Sequence, residues 1–173
     1  MRSRILVLGL LTLVTAFLSG PCAGAQENGA KGDVTVAVFR DWQKIANPQT
    51  GGCLLVQSVA TKTSGSLLAQ IILQREAGAP VLAVRVPNGA SLATGIAYRI
   101  DGAGAAVNLD WVSCDSKLCL ARTSLDAAQF RALLNGRQLE LGFRPLPTSR
   151  ALVVPMSLLG VTAGWNALAD CSD

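Results

Sequence analysis

The chain has 173 residues, of which half are apolar and 15% are charged, and its formal net charge is +4. This composition excludes a disordered chain and predicts a single globular domain. The lysines and arginines are scattered and form no basic stripe, which argues against a nucleic-acid partner. The sequence contains no histidine, which excludes a Ser-His-Asp or Cys-His catalytic unit and any histidine-based metal site. No motif indicates a cofactor.

The first 25 residues have the pattern of an export signal. Arg2 and Arg4 form a basic start, residues 5–18 are an apolar run, and Ala23-Gly24-Ala25 fits the small-x-small site of a signal peptidase. The apolar run is shorter than the roughly 20 residues that a membrane span needs. We therefore predict a cleaved signal peptide over residues 1–25 and no stable membrane span after cleavage. A retained anchor and a lipid on Cys22 are the alternatives.

The remaining chain is predicted to form one domain over residues 33–173, after a polar, flexible leader over residues 26–32. Alternating apolar residues between Gly, Pro and Asn turns predict a series of short strands. These strands cover residues 34–38, 53–60, 80–86, 96–100, 107–111, 139–143 and 151–158. Residues 67–75 fit a further strand, although the spacing of Gln70 and Gln74 leaves a helix open. Pro155 indicates a sheet edge or a bulge in the last strand, and a turn is expected at Gly160 and Gly164.

One short helix is predicted at about residues 125–135. Ser124 is the expected N-cap, and Asp126 suits the positive end of the helix. Phe130 and Leu133 follow at helical spacing, and Gly136 provides a stop. Eight or more short strands with one helix predict an all-β sandwich.

The stretch from Cys114 to Cys119 is predicted to be a stapled β-hairpin at the centre of this domain. Asp115-Ser116-Lys117 supplies the turn, and a hairpin can bring cysteines at this spacing within disulfide reach. Removal of Cys22 with the signal leaves four cysteines, which allow three pairings. If Cys114 joins Cys119, then Cys53 is left to join Cys171. Two unpaired buried cysteines are the alternative to the hairpin disulfide.

With these residues laid out, the chain resembles the invasion-associated locus B family of exported bacterial proteins. Four blocks in order carry the resemblance. They are Asp41-Trp42 with Cys53 and Gln57; Pro87-Asn88-Gly89 through Leu92 and Gly95 to Ile100-Asp101; residues 114–121; and Pro155-Met156-Ser157-Leu158-Leu159-Gly160 through Gly164 to Leu168. The resemblance implies an immunoglobulin-like β-sandwich. It also implies a link to host-cell invasion in some pathogens, although many members occur in free-living or plant-associated bacteria.

The chain departs from the family at one place. Members often have an additional cysteine shortly after the Asp-Trp pair, as the partner of the next cysteine. Here Gln43-Lys44-Ile45-Ala46 occupies that region, which makes Cys171 the candidate partner of Cys53.

Every candidate chemical site has a structural interpretation. Asp101 and Asp110 are an acid/base pair only in principle, because both are expected on solvated turns or strand faces. The three tryptophans are expected to be core or rim anchors and not a ligand platform. We therefore expect no catalytic, cofactor-binding or metal-binding residue.

The resulting hypothesis is a non-enzymatic binding or accessory protein of the envelope, periplasmic, secreted or associated with the outer membrane. Its sheet edges and loops would contact an unknown envelope or host protein. The hypothesis includes a contribution to host-cell interaction or invasion. The alternative is a periplasmic glycan hydrolase that uses carboxylates alone. Such an enzyme needs two acidic side chains about 5–10 Å apart across a cleft.

The export hypothesis predicts cleavage after Ala25. Protein recovered from the periplasmic fraction should have an intact mass that begins at Gln26. Protein that retains Met1 and sediments with the membranes would contradict the prediction.

Overall fold

A computed structural model describes residues 35–46 and 52–171. The predicted signal peptide and leader, residues 1–25 and 26–32, lie outside the described residues. In the described part, ten strands, two short helices and two single turns of 3₁₀ helix follow one another along the chain. The strands are β1 (Thr35–Phe39), β2 (Trp42–Ala46), β3 (Cys53–Ala60), β4 (Leu67–Glu76), β5 (Ala79–Pro87), β6 (Ile96–Ile100), β7 (Ala103–Cys114), β8 (Leu118–Ser124), β9 (Gln138–Phe143) and β10 (Leu152–Ser157). The helices are α1 (Ala127–Asn135) and α2 (Val161–Ala167), and the 3₁₀ turns are Leu92–Thr94 and Leu168–Asp170.

All of these strands belong to one antiparallel, hydrogen-bonded sheet in the order β1-β2-β3-β4-β5-β8-β7-β6-β9-β10. Strand β7 joins its two parts, because residues 103–109 pair with β6 and residues 110–114 pair with β8. We call β1 to β5 with β8 the long half, and β6, β9 and β10 the short half. The prediction of an all-β fold with little helix is confirmed. Residues 67–75 lie in strand β4, so the helical alternative for them is wrong.

The core lies between the inner faces of the two halves. Alternate residues of each strand point into it, as the period of two along a β-strand requires. On the short half these are Ile96 and Tyr98 of β6, Leu139 and Leu141 of β9, and Val154 and Met156 of β10. On the long half the buried cluster includes Trp42, Leu55, Ile71, Leu73, Leu82 and Val84.

Helix α1 confirms the predicted helix but begins two residues later than expected. Its N-cap is Asp126, not Ser124, because the Asp126 carboxylate accepts hydrogen bonds from the backbone N–H groups of Ala128 and Gln129. The side chain of Gln129 accepts the N–H of Asp126 in return, which completes a capping box. Gly136 ends the helix as predicted, and its lack of a side chain leaves room for Leu158.

Helix α2 occupies residues where the sequence predicts only a turn. Gly160 and Gly164, the basis of that prediction, are required by close packing. A Cβ at Gly164 would lie 2.5 Å from Leu55 Cδ1, and Gly160 adopts a positive φ of 97° against Phe39. Trp165, on the same helix, packs edge-to-face on Phe130 at 4.8 Å between ring centroids. The helix therefore depends on tertiary contacts more than on local propensity.

Two disulfide bonds lie within the described residues. Cys114 and Cys119 face each other across the β7–β8 hairpin. Cys53, at the start of β3, is joined to Cys171, 118 residues later. No helix among the described residues is long and apolar enough to cross a membrane.

The two disulfides should contribute unequally to stability. In the chain-entropy model, closing the short hairpin loop stabilises by about 2 kcal/mol and closing the long loop by about 5 kcal/mol. Replacing Cys53 and Cys171 by alanine should therefore lower Tm more than replacing Cys114 and Cys119 by alanine. Differential scanning calorimetry of the two variants makes the comparison, with non-reducing peptide mapping of the parent protein as the check on pairing. Equal losses of Tm would contradict the prediction.

Candidate functional site

The two aspartates considered as an acid/base pair, Asp101 and Asp110, and the turn residue Asp115 lie at separate places along β7. Asp101 is in the turn before it, Asp110 is within it, and Asp115 is in the turn after it. Because a strand rises about 3.3 Å per residue, Asp110 lies roughly 30 Å from Asp101 and roughly 15 Å from Asp115 along the strand. These separations exceed the roughly 5–10 Å of a glycosidase carboxylate pair. The structure does not bring these candidates together.

Asp101 has a structural role in the turn between β6 and β7. It adopts a positive φ of 50°, a conformation that Asp tolerates better than most residues. Its carboxylate accepts hydrogen bonds from the backbone N–H groups of Arg137 at 3.0 Å and Gln138 at 2.9 Å. The side chain therefore ties this turn to the start of β9.

Asp115 has a similar role in the β7–β8 hairpin. Its carboxylate accepts hydrogen bonds from the N–H groups of Leu118 at 2.8 Å and Lys117 at 2.6 Å. These bonds favour the ionised form and lower the pKa of Asp115. A depressed pKa in the folded state stabilises the fold above the unfolded pKa, and this stabilisation is lost as the pH falls through the lowered value.

Asp110 and the tryptophans also occupy structural positions. Asp110 is exposed and lies opposite Arg122, which forms an ion pair with Glu76. Trp42 is fully buried and Trp165 is 6% exposed, so both are core anchors. Trp111 is partly buried against the same core.

A groove crosses the outer face of the short half of the sheet. Its floor is a row of residues that are direct cross-strand neighbours, namely Asn108 on β7, Ala97 on β6, Gly142 on β9 and Val153 on β10. The small side chain of Ala97 and the absence of one at Gly142 leave two adjoining depressions of about 240 and 110 Å³, which share these two residues. We call this row and its two depressions the outer groove.

Charged residues line both sides of the outer groove. On one side, Arg99 and Glu140 form an ion pair of 2.8 Å between Nη2 and Oε2. On the other side lies Arg144, whose Nη1 donates to Pro147 O at 3.4 Å. Arg144 has no carboxylate partner within the described residues, and its buried Nε atom has no protein acceptor there. The outer groove therefore carries one uncompensated positive charge.

The sequence alone did not identify the outer groove. The available signal was Gly142, which lies between the inward-facing Leu141 and Phe143 and leaves a gap on the outer side of a regular strand. Recognising a groove also requires Ala97 to stand beside Gly142. That register is set between strands that are far apart in the chain.

Fold and surface together define an all-β, disulfide-bonded protein with a shallow groove on one sheet face. Comparison with known proteins then shows the family. The model of the invasion associated locus B (IalB) protein family matches residues 42–169, and the chain belongs to this family. The resemblance drawn from the four sequence blocks is confirmed.

Individual relatives agree with this assignment. Two invasion protein B homologs of Brucella abortus, from strain 2308 and from biovar 1 strain 9-941, are each 29% identical over 133 residues. These matches cover 75% of this chain and 76% of each relative. The crystal structure of invasion associated protein b from Bartonella henselae superposes with a TM-score of 0.69 at 18% identity. That match covers 79% of this chain and 96% of the other, and it shows that the fold is shared.

The structural role of Asp101 predicts a specific pattern of stability changes. Asp101→Ala removes the acceptor of two backbone N–H groups and should lower the free energy of unfolding by about 1–2 kcal/mol. Asp101→Asn keeps an acceptor oxygen and should lose less. Asp110→Ala, the control on the exposed face of strand β7, should change stability by less than about 0.5 kcal/mol. Urea unfolding at neutral pH measures all three, and equal losses for Asp101→Ala and Asp110→Ala would refute the assignment.

Proposed function

We propose that this chain is an exported, non-enzymatic binding protein of the cell envelope whose outer groove holds an acidic segment of a protein partner. The outer groove is the observation that carries the proposal. It joins a floor of small residues to an uncompensated arginine, Arg144. A carboxylate of the partner would form an ion pair with this guanidinium, the side chain that proteins favour for recognising carboxylates.

Three further observations support export and an envelope location. The first 25 residues have the order of a signal peptide. Disulfides persist in oxidising compartments, and the described residues hold two. The relatives in Brucella abortus are named invasion protein B homologs, so we extend the proposal to a role in host-cell interaction.

A carboxylate-dependent glycan hydrolase is less well supported. Asp101 and Asp115 each accept two backbone hydrogen bonds that hold a turn. Both carboxylates therefore have roles that need no substrate. Asp110 lies opposite Arg122, which already forms an ion pair with Glu76.

Site-directed photocrosslinking in intact cells tests the binding proposal. The photoreactive residue p-benzoylphenylalanine replaces Val153, which is 56% exposed in the outer groove. The control position is Val112, a valine of similar exposure, 54%, on β7 beyond the groove. A discrete adduct should form from position 153 and not from position 112, and mass spectrometry of the crosslinked peptide should show an acidic partner segment.

Two groove variants should then weaken the adduct. Gly142→Leu fills the floor, where a new Cβ lies 3.8 Å from the nearest atom and is tolerated by the fold. Arg144→Glu reverses the charge and should reduce affinity for the identified partner about tenfold or more. Arg131→Glu, on the exposed side of α1, is the charge-matched control and should have no effect. Unchanged adducts from both groove variants would reject the outer groove, and glycan hydrolysis abolished by Asp101→Asn would favour the enzyme.

A further inference from the structure

The hairpin disulfide joins an exposed cysteine to a buried one. Cys114, the last residue of β7, is exposed, whereas Cys119 is 1% exposed and belongs to the core. Residues 110–114 of β7 pair with β8 on one side, and no strand in the described part of the chain pairs with their other side. Exposed disulfides exchange with thiols more readily than buried ones. An incoming thiolate therefore has access to this bond from the Cys114 side.

The hairpin turn is held by hydrogen bonds that do not depend on this disulfide. The backbone N–H of Asp115 donates to Leu118 O at 2.9 Å, and the Asp115 carboxylate accepts from the N–H groups of Lys117 and Leu118. The N–H of Asn88 donates to Lys117 O at 2.8 Å, which ties the turn to the residue that follows β5. These bonds remain when the sulfur–sulfur bond is cleaved, so the reduced hairpin keeps its register.

Strand β8 holds Cys119 in place independently of Cys114. Every residue of β8 pairs with a residue of β5, and Cys119 lies opposite Val86 in this pairing. Cleavage of the disulfide therefore leaves Cys119 in the core. Only the exposed side chain of Cys114 becomes free to rotate into solvent, and this gain in side-chain entropy favours the reduced state.

A hydrogen-bond acceptor stands beside the buried sulfur. The Sγ atom of Cys119 lies 3.6 Å from Oδ1 of Asn88. This oxygen accepts the backbone N–H of Gly89 at 2.8 Å and, as an amide oxygen, has a second lone pair. The Cys119 sulfur has no hydrogen in the disulfide, but the reduced thiol can donate its S–H to Asn88. This hydrogen bond exists only after reduction, and it stabilises the reduced state.

The disulfide between Cys53 and Cys171 has a different environment. Both of its cysteines are partly buried, and Cys53 packs against the core. The bond joins residues 118 positions apart, so its cleavage removes a constraint on nearly the whole domain. The long-range bond is therefore suited to stability, and the hairpin bond is suited to exchange.

From these observations we propose that the Cys114–Cys119 disulfide is a site of thiol–disulfide exchange with a reduced dithiol protein. A thiolate of the partner attacks Sγ of Cys114, and the sulfur–sulfur bond breaks with its electron pair passing to Sγ of Cys119. Cys119 takes a proton from solvent and donates a hydrogen bond to Asn88. The product of this step is a mixed disulfide between Cys114 and the partner.

The partner's second thiolate completes the exchange. It attacks the partner sulfur of the mixed disulfide, and Cys114 leaves as a thiolate that is protonated by solvent. Two electrons pass in total from the partner's dithiol, which becomes a disulfide, to the hairpin, which becomes a dithiol. This inference does not rest on the proposed function, because it uses none of the residues of the outer groove.

Dithiothreitol, a small dithiol, tests the inference on the oxidised protein that lacks residues 1–25. Free thiols are blocked with N-ethylmaleimide at successive times, and mass spectrometry of the peptides quantifies each cysteine. The Cys114–Cys119 bond should be reduced at least about tenfold faster than the Cys53–Cys171 bond, and the near-UV circular dichroism should remain native at that stage. Equal rates, or loss of the native signal when only the hairpin bond is reduced, would overturn the inference.

Glutathione, a monothiol, identifies the sulfur that is attacked. After a short incubation and acid quenching, the mixed disulfide with glutathione should be found on Cys114. Glutathione found on Cys119 instead would contradict the direction of attack and overturn the inference.

Variants of Asn88 test the stabilisation of the reduced state. In a glutathione redox buffer, Asn88→Ala removes the acceptor for the Cys119 thiol and should shift the equilibrium about threefold towards the disulfide. Asn88→Asp keeps an acceptor oxygen at the same place and should retain at least the reduced fraction of the parent. The Cys53–Cys171 bond is the internal control and should not respond to either variant. An equal shift in both variants, or none in Asn88→Ala, would overturn the role of Asn88.

Discussion

Contacts between strand β2 and the C-terminal segment hold the two ends of the sheet together. Trp42, which is fully buried, donates from Nε1 to Ser157 O at 3.1 Å, across 115 residues of sequence. The ammonium group of Lys44 donates to Ala167 O at 2.6 Å, at the end of α2. The negative end of a helix favours a cation there, which compensates for the burial of this lysine. With the disulfide from Cys53 to Cys171, these contacts close the core between the halves.

Close packing between the C-terminal segment, residues 157–171, and strands β1 to β3 explains why this segment contains glycines. A Cβ at Gly160 would lie 2.7 Å from the carbonyl carbon of Phe39, so a larger residue would push the turn between β1 and β2 away. Gly164 likewise has no side chain and so leaves room for the side chain of Leu55. The first and fourth sequence blocks of the family, although more than a hundred residues apart, meet here. Gln57, in the first block, fixes the turn between β1 and β2 by donating from Nε2 to Asp41 O at 3.1 Å.

Closure of the core also allows the strands of the short half to serve two purposes. In β6, Ile96, Tyr98 and Ile100 face inward, while Ala97 and Arg99 face outward. The inward residues form the core, and the outward residues form part of the outer groove. Because successive side chains alternate between faces, a substitution on one face leaves the other largely unchanged. Variants of the outer groove can therefore be tested without disturbing the core.

The sequence by itself determined the features that depend on neighbouring residues. The alternation of Leu139, Leu141 and Phe143 predicts β9, and Asp115 predicts the hairpin turn. Pro155 predicts an edge strand, and β10 is the last strand in the sheet order. These features follow from a period of two and from local turn chemistry, which act over a few residues.

Only the tertiary structure decided the features that depend on distant residues. Helix α2 forms where Gly160 and Gly164 leave room for Phe39 and Leu55. The Asp101 carboxylate accepts hydrogen bonds from backbone N–H groups more than thirty residues away. The outer groove requires Ala97 and Gly142 to be neighbours, and the register between β6 and β9 makes them so. Such contacts are selected by packing of the whole chain, so no local pattern encodes them.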